Sequence, residues 1–160
     1  MPRLALAVDI GGTRTRAALI TDDGRILSRA SILTNPQQGM EAGFARIAAA
    51  MRQVMGSAAA TDIIGIGMGA PSATDPRKGI VYAPANLPGW DVMPLKSYFE
   101  QAFSIPTHVG NDANLAALGE HRFGAGRGSR DMIYMTISTG IGGGIISNGQ
   151  LFLGADGYAG

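Results

Sequence analysis

Apolar runs ended by glycine turns alternate along the first part of the chain. Residues 4–8 are apolar and lead into Asp9 and the pair Gly11-Gly12, which is typical of a buried strand followed by a tight turn. Residues 15–21 and 25–33 are the next two strand candidates, with a turn signal between them. The pattern therefore predicts a meander of three antiparallel strands at the start of the chain.

The spacing of the apolar residues changes after Asn35-Pro36. Between residues 37 and 55 the apolar side chains recur at helical spacing, at Phe44, Ile47, Ala48, Met51 and Met55. Polar side chains lie off that face, so the segment is predicted to be an amphipathic helix. We assign its apolar stripe to packing in the core.

The rest of the chain alternates short strands and helices. A strand is predicted at 62–69, where several glycines indicate the close approach of another backbone or of a ligand. Further elements are predicted as a hairpin around 79–82, helices at 94–103 and 113–122, and strands at 107–110, 131–138, 144–147 and 150–153. The alternation indicates the α/β class. Because the later strands repeat the pattern of the first ones, we expect a first lobe at 1–110 and an incomplete start of a second lobe at 111–160.

Composition narrows the function classes. The 160 residues include 24 glycines and no cysteine, and the net charge is +1. These values argue against a disulfide scaffold, a thiolate zinc site within this stretch and a basic face for nucleic acid. No apolar run reaches the ~18 residues that a membrane helix needs. We therefore expect a cytoplasmic protein with no nucleic-acid or membrane partner.

Two glycine segments are candidates for phosphate binding. Backbone N–H groups of a glycine turn point into one concavity, and such concavities bind anions. Asp9 at the first turn could hold Mg²⁺ through water, and Thr13 adds a hydroxyl group. The alternative is a plain hairpin turn. A similar segment at 138–143 favours two phosphate loops that grip a nucleotide triphosphate from both sides.

Two further segments carry side chains with candidate chemistry. Asn111 and Asp112 stand between a strand and a helix, where they either cap the helix or place a carboxylate base beside an amide that orients a substrate hydroxyl. The loop from Asn86 to Trp90 is either a packed turn with an anchoring aromatic side chain or a sugar-contacting loop with an amide donor. The residues alone leave both alternatives open.

Five stretches of the chain together resemble the ROK family of sugar kinases and related repressors. In the family's order and spacing they are Asp9-Ile10-Gly11-Gly12-Thr13, Gly67-Met68-Gly69-Ala70-Pro71, Asn86-Leu87-Pro88-Gly89-Trp90, Asn111-Asp112-Ala113-Asn114 with Ala117-Leu118-Gly119-Glu120, and Ser138-Thr139-Gly140-Ile141-Gly142-Gly143-Gly144. The resemblance implies the actin-like, ribonuclease H-like ATPase fold, with a nucleotide cleft between two lobes. It also implies ATP-dependent phosphorylation of a hexose or amino-hexose hydroxyl, with glucose as the first candidate.

The resemblance also implies roles for individual residues. Asp112 matches the catalytic base, and Asn111 matches a ligand of a sugar hydroxyl. The other substrate contacts that it implies are Asn86, Gly69 and Ala70. The residues that it assigns to ATP are Asp9, Gly11, Gly12 and Thr13 in the first phosphate loop, with Asp9 holding Mg²⁺ through water, and Thr139, Gly140 and Gly142 in the second.

The chain departs from the family's pattern at two positions. Arg14 stands where the family often has lysine, and Ser72 follows Pro71 where the family usually has glycine. The family's pattern continues beyond residue 160 with a glutamate and a Gly-His pair that contact the sugar and bind zinc, and with a cysteine cluster for zinc. The zinc site is therefore expected beyond this chain.

These comparisons with the family lead to one main expectation and two alternatives. We expect the N-terminal portion of a kinase, which has little or no activity alone and self-associates as a homo-oligomer. The alternatives are a sugar-sensing transcriptional regulator of the same family and a non-catalytic sugar-binding fragment. The intact Asp112 and the lack of a basic patch favour the enzyme.

Overall fold

A computed structural model of the chain describes residues 2–137, 140–157 and 159. Its strands are β1 (Leu4–Ile10), β2 (Arg14–Thr21), β3 (Ile26–Leu33), β4 (Ile63–Ala70), β5 (Ala73–Asp75), β6 (Ile80–Tyr82), β7 (Val92–Met93), β8 (Thr107–Asn111), β9 (Met132–Ile137), β10 (Ile141–Ser147) and β11 (Gln150–Phe152). Its helices are α1 (Met40–Met55), α2 (Leu95–Phe103) and α3 (Asp112–Phe123), with short 3-10 helices at Pro36–Gln38 and Ala60–Asp62. The predicted elements are present, and their bounds shift by a few residues. None of the helices in the described ranges is long and apolar enough to cross a membrane.

The central sheet has five strands in the order β3-β2-β1-β4-β8. β1, β2 and β3 pair antiparallel, which confirms the predicted meander. β1 is parallel to β4, and β4 is parallel to β8. The carboxyl ends of these three strands therefore meet at one edge of the sheet, where Asp9 pairs with Gly69 and Ala70 pairs with Asn111.

One face of the central sheet forms the core with α1. Alternate side chains of β1 are buried there, including Leu6 and Val8, because successive strand residues point to opposite faces. The predicted apolar stripe of α1 is confirmed as core, and Phe44 and Met51 are among its buried side chains. The ring of Trp90 joins this core and packs edge-on against Phe44.

The opposite face of the central sheet carries small side chains. Leu115 of α3 packs over Gly69 and Gly110, at distances that leave little room for a Cβ atom at Gly110. Beside α3 a groove of about 870 Å³ follows this face, and Ala7 and Ala18 are among the residues that line it. Small residues on the sheet therefore allow α3 to lie close to the strands.

The second sheet, β11-β10-β9, packs against the other side of α3. The sequence predicts a glycine turn up to residue 143 and a strand only from Gly144, but β10 begins at Ile141 and pairs Gly142 with Thr136. Packing explains the difference. A Cβ atom at Gly144 would lie 2.5 Å from the Cβ atom of Ala117, so the glycines of β10 allow α3 to contact the strand.

The outer face of the second sheet leads to a prediction about the 160-residue chain by itself. Ile133, Met135, Ile137 and Ile141 are 77%, 63%, 74% and 79% exposed on it. Contiguous apolar surface of this kind drives association, so we expect the isolated chain to self-associate. Size-exclusion chromatography with light scattering checks this, and the double variant Ile133→Lys/Ile137→Lys should lower the apparent mass. A monomer at high concentration in the unaltered chain would contradict the expectation.

Candidate functional site

A cleft of about 880 Å³ opens where the central sheet, α3 and the second sheet meet. The polar and glycine residues along it come from separate parts of the sequence. They are Ser72, Thr74, Asn86, Asn111, Asp112, Asn114, Thr136, Gly140, Gly142, Gly143 and Gly157. The fold thus brings Asn86, Asn111, Asp112, Gly140 and Gly142, which the resemblance assigns to substrate and ATP, to one cavity.

Asn111 caps α3 at the floor of this cleft. Its side-chain Oδ1 accepts hydrogen bonds from the backbone N–H groups of Ala113 and Asn114 at 3.0 and 3.2 Å, which confirms the capping interpretation. Its Nδ2 donates to the carbonyl oxygen of Ser72 at 3.3 Å. An amide nitrogen carries two hydrogens, so one of them remains for a group in the cleft.

Asp112 is the first residue of α3 and opens onto the cleft. Its Oδ1 accepts a hydrogen bond from the backbone N–H of Ala113 at 2.8 Å. The pKa of its carboxyl is raised above the usual range, chiefly because surrounding protein removes water from it and also because of the negative charge of Asp9. The Ala113 hydrogen bond acts in the opposite direction. Asp112 is therefore a better proton acceptor than an ordinary exposed aspartate.

Asp9 is not among the residues that line the cleft. It lines the groove on the open face of the central sheet, together with Asp112. Arg16 Nη1 donates to Asp9 Oδ2 at 2.8 Å, and the two side chains are 64% and 51% exposed. Asp9 thus has a solvent-accessible carboxylate whose nearest cation is a neighbouring arginine.

The carboxylates of Asp9 and Asp112 do not form a complete magnesium site by themselves. Within the described ranges, no group of three or more histidine, cysteine or acidic side chains is placed to hold a metal. Mg²⁺ in nucleotide sites commonly takes one or two carboxylates, several waters and phosphate oxygens, and the exposed Asp9 suits that donor set. A bound Mg²⁺ would supply charge neutralisation for the phosphates.

The first glycine turn adjoins the cleft through Asn86. The N–H of Gly11 donates to the carbonyl oxygen of Arg14 at 3.0 Å and closes the turn. A Cβ atom at Gly12 would lie 2.6 Å from the carbonyl oxygen of Asn86, so only glycine allows this contact. Thr13 is exposed at the same turn. Gly11, Gly12 and Thr13 therefore lie next to the cleft without lining it.

The second glycine segment divides into two parts. Gly140 is exposed and lines the cleft, and no atom of the described residues beyond its chain neighbours lies within 4 Å of the position of its missing Cβ. Gly142 lines the cleft from within β10, where it also contacts Ala113. Thr139, which the resemblance assigns to ATP, lies outside the described residues, as does Ser138. Between Gly140 and Gly142, the two described glycines that the resemblance assigns to ATP, Gly140 has the open space around it.

Gly69 and Ala70 are not among the residues that line the cleft. Ala70 is fully buried at the end of β4, and Gly69 lines the groove on the open face of the sheet. The next two residues, Pro71 and Ser72, form the cleft wall instead. Their position follows from the end of β4, after which the chain leaves the sheet and turns over its edge.

The patterns in the sequence did not identify Asn114 and Thr136 as cleft residues. Asn114 is 4% exposed and, among the described residues, its Oδ1 has no hydrogen-bond partner. A Cβ atom at Gly144 would lie 3.1 Å from that oxygen, so Asn114 lies between α3 and β10. The signals in the sequence were its nearness to Asp112 and its place in the stretch 111–114 that resembles the family. Thr136 is placed by the pairing of β9 with β10, which is a long-range feature.

Ser72 has a backbone conformation that favours glycine. Its φ is 81°, in the left-handed region that costs a residue with a side chain about 1–2 kcal/mol. Its hydroxyl donates to the carbonyl oxygen of Tyr82 at 2.8 Å, and its carbonyl oxygen accepts from Asn111. The serine thus stands in a conformation suited to the glycine that the family's pattern has there.

Two substitutions at this position are expected to differ in stability. Ser72→Ala loses the hydroxyl bond and keeps the strained φ, whereas Ser72→Gly loses the bond and relieves the strain. We expect Ser72→Gly to be more stable than Ser72→Ala by roughly 1 kcal/mol. Urea unfolding followed by circular dichroism checks the order, and equal or reversed midpoints would contradict it.

The chain is similar in sequence to a known protein family and to two kinases. The model of the ROK family matches residues 5–160. A glucokinase of Halalkalibacterium halodurans is 40% identical over 99% of the chain and 48% of its own length. An N-acetylmannosamine kinase of Escherichia fergusonii is 38% identical over 97% of the chain and 51% of its own length.

A solved structure shows the same arrangement of elements. The ROK family glucokinase from Streptomyces griseus, in complex with glucose and AMPPNP, superposes with a TM-score of 0.87 at 40% identity. The superposition covers 98% of this chain and 48% of that chain. The chain therefore spans about half the length of the relatives that it matches.

Proposed function

The chain belongs to the ROK family, and on that premise we propose that the protein containing it transfers the γ-phosphoryl group of ATP to a hexose hydroxyl. The observation that carries this proposal is the position of Asp112. A carboxylate with a raised pKa opens onto a cleft that Asn86, Asn111 and Gly140 also line. Glucose is the first candidate substrate, because relatives named glucokinase match nearly the whole chain.

The proposed roles follow from the groups that each side chain presents. Asp112 accepts the proton of the attacking sugar hydroxyl, since among the described residues its side-chain hydrogen bond is made by Oδ1 alone and leaves the other carboxylate oxygen for the sugar. Asn111 uses its remaining N–H, and Asn86 its amide, to hold neighbouring sugar hydroxyls. Buried Ala70 and Gly69 take part only by shaping the end of β4, which presents Pro71 and Ser72 to the sugar.

ATP is proposed to lie between the two glycine segments. Gly11, Gly12 and Thr13 approach the phosphates from the first turn, and Asp9 holds Mg²⁺ through water. Thr139, Gly140 and Gly142 approach from the second segment. Most of the rate enhancement then comes from positioning and from stabilisation of charge, as in other phosphoryl transfers.

The reaction is proposed for the longer protein. The chain spans about half of its relatives, so we propose that residues 1–110 form a first lobe and residues 111–160 the start of a second. The remaining polypeptide would add the zinc site and the rest of the nucleotide site. The chain alone would then have little or no kinase activity, and the whole protein would be a cytoplasmic homo-oligomer.

The test assays the product of the whole open reading frame. ADP formation is measured with ATP and Mg²⁺ against glucose, fructose, mannose and N-acetylmannosamine. Sugar-dependent turnover supports the kinase, and the preferred hexose identifies the substrate. Thermal stabilisation by a sugar without turnover would instead favour a sugar-sensing regulator or a non-catalytic binding protein.

The pH dependence of this activity is a separate prediction. The base form of Asp112 is needed for proton transfer, and its raised pKa means that this form is lost at a higher pH than in an ordinary aspartate. We expect kcat/KM to rise with pH through a midpoint above 3.8, the ordinary aspartate value. A pH profile in constant ionic strength checks this, and a midpoint at or below that value would contradict it.

A further inference from the structure

Arg16 is a charged residue at the site that none of the proposed roles uses. It lies directly opposite Asp9 in the pairing of β1 with β2, and its Nη1 donates to Asp9 Oδ2 at 2.8 Å. Asp9 is the carboxylate proposed to hold Mg²⁺. In this structure the same carboxylate is therefore already engaged by a cation of the protein.

Two other arginines lie near Arg16 on the same sheet. Arg14 and Arg16 project from the same face of β2, since they are two residues apart. Arg29 lies on the neighbouring strand, opposite Ala18, and lines the same groove as Arg16. Among the described residues, neither Arg14 nor Arg29 forms an ion pair, whereas Arg16 does. Asp9 thus compensates one of three nearby arginines.

We propose that the Arg16–Asp9 pair makes the site selective for a metal–nucleotide complex over a free divalent cation. A free cation that takes Asp9 must displace the guanidinium and break the Arg16–Asp9 ion pair. A cation that arrives on a phosphate chain brings an anion with it. Asp9 then exchanges Arg16 for the metal, Arg16 exchanges Asp9 for a phosphate oxygen, and every charge keeps a partner.

The chemistry of the groups supports such an exchange. An arginine guanidinium matches the geometry of phosphate oxygens as well as that of a carboxylate. The side chains of Arg16 and Asp9 are both more than half exposed, so Arg16 can leave Asp9 without opening the core. The inference rests on the proposed function in taking Asp9 as the carboxylate that holds the divalent cation and the anion as the phosphate chain of a nucleotide.

Binding of Mn²⁺, followed by electron paramagnetic resonance of the free ion, tests the proposal without any turnover. The protein is the product of the whole open reading frame, measured without nucleotide and then with ADP. We expect Arg16→Ala to bind Mn²⁺ alone about two- to fivefold more tightly, the size of an exposed ion pair, and to bind the Mn²⁺–ADP complex more weakly. Combining Arg16→Ala with Asp9→Asn should remove the gain, which locates the ion at Asp9.

Arg14→Ala is the matched control. It removes a positive charge from the same face of β2 without breaking an ion pair among the described residues, so it reports the general effect of charge. Equal Mn²⁺ affinity in Arg16→Ala and Arg14→Ala would overturn the proposal. Unchanged affinity of Arg16→Ala for Mn²⁺–ADP would overturn it as well. Circular dichroism confirms that the variants are folded, which the exposure of both side chains leads us to expect.

Failure of the proposed function gives a different result. If no sugar is phosphorylated but Arg16→Ala shows both changes, the ion-pair exchange stands and the kinase assignment does not. If sugar is phosphorylated but the two arginine variants bind Mn²⁺ alike, the kinase assignment stands and the exchange does not.

Discussion

Replacing Asp112 by asparagine is expected to lower kcat for sugar phosphorylation by about 10²- to 10⁴-fold, the usual contribution of a positioned general base. The amide oxygen can still accept the Ala113 hydrogen bond that Asp112 accepts at 2.8 Å. It cannot accept the proton of the sugar hydroxyl. The change therefore removes the chemistry while it leaves the start of α3 in place, and the KM values for sugar and ATP should change little.

The Asp112→Asn variant should be at least as stable as the unaltered protein, although its activity falls. Loss of water contact and the negative charge of Asp9 raise the pKa of the Asp112 carboxyl in the folded protein. The protonated form is therefore favoured by folding, and this benefit is lost as the pH rises through the raised pKa. At neutral pH the ionised carboxyl costs stability, so Asp112→Asn should unfold at the same temperature as the unaltered protein or slightly above it.

A distant aspartate provides the control. Asp62 also accepts a backbone hydrogen bond, from the N–H of Ala59 at 3.3 Å, and it is not among the residues of the cleft. Asp62→Asn should leave kcat unchanged. Steady-state kinetics gives kcat for the two variants, and thermal unfolding gives their stability. Activity in Asp112→Asn within a few fold of the unaltered protein would show that Asp112 is only a helix cap or a ligand contact.

Local patterns predicted most of the fold. The strand meander and α1 follow from apolar spacing at periods of two and 3.6 residues, and these periods are visible in any short window. Phe44 and Met51 are buried as that spacing requires. The actin-like fold came from the resemblance instead, and the superposition on the Streptomyces griseus glucokinase confirms it.

Long-range contacts explain what the sequence did not predict. The pairing of Asp9 with Arg16 depends on the register of β1 and β2, which apolar spacing alone does not assign to particular charged pairs. The glycines at 138–143 suggested a phosphate loop, but a Cβ atom at Gly142 would lie 3.2 Å from the Cβ atom of Ala113 in α3, so close packing also accounts for this glycine. A local pattern reports that a glycine is needed and leaves open which neighbour requires it.

Replacing Trp90 by alanine is expected to destabilise the protein by about 3–5 kcal/mol, the range for large aromatic side chains in a core. Trp90 is 1% exposed, and its Nε1 donates to the carbonyl oxygen of Pro36 at 3.1 Å. Its ring lies directly against Gly43 of α1, where even a Cβ atom would collide with it. The alanine variant therefore loses packing, an aromatic contact and a hydrogen bond together.

The same substitution should affect the site through the loop that Trp90 anchors. The N–H of Trp90 donates to the carbonyl oxygen of Leu87 at 3.1 Å, and Asn86 precedes Leu87 and lines the cleft. Without its anchor the loop no longer holds Asn86 in one place. We expect the KM for sugar to rise more than the KM for ATP. The loop from Asn86 to Trp90 would then be both a packed turn and a sugar-contacting loop.

Two further variants separate loss of the ring from general damage. Trp90→Phe keeps an aromatic ring beside Phe44 but removes the bond to Pro36, so its loss should be smaller than that of Trp90→Ala. Val92→Ala changes an exposed side chain in the same segment and should stay within about 0.5 kcal/mol of the unaltered protein. Urea unfolding followed by circular dichroism measures all three. A loss below about 1 kcal/mol in Trp90→Ala would mean that the ring is not the anchor of this loop, and an unchanged KM for sugar would mean that the anchor does not position Asn86.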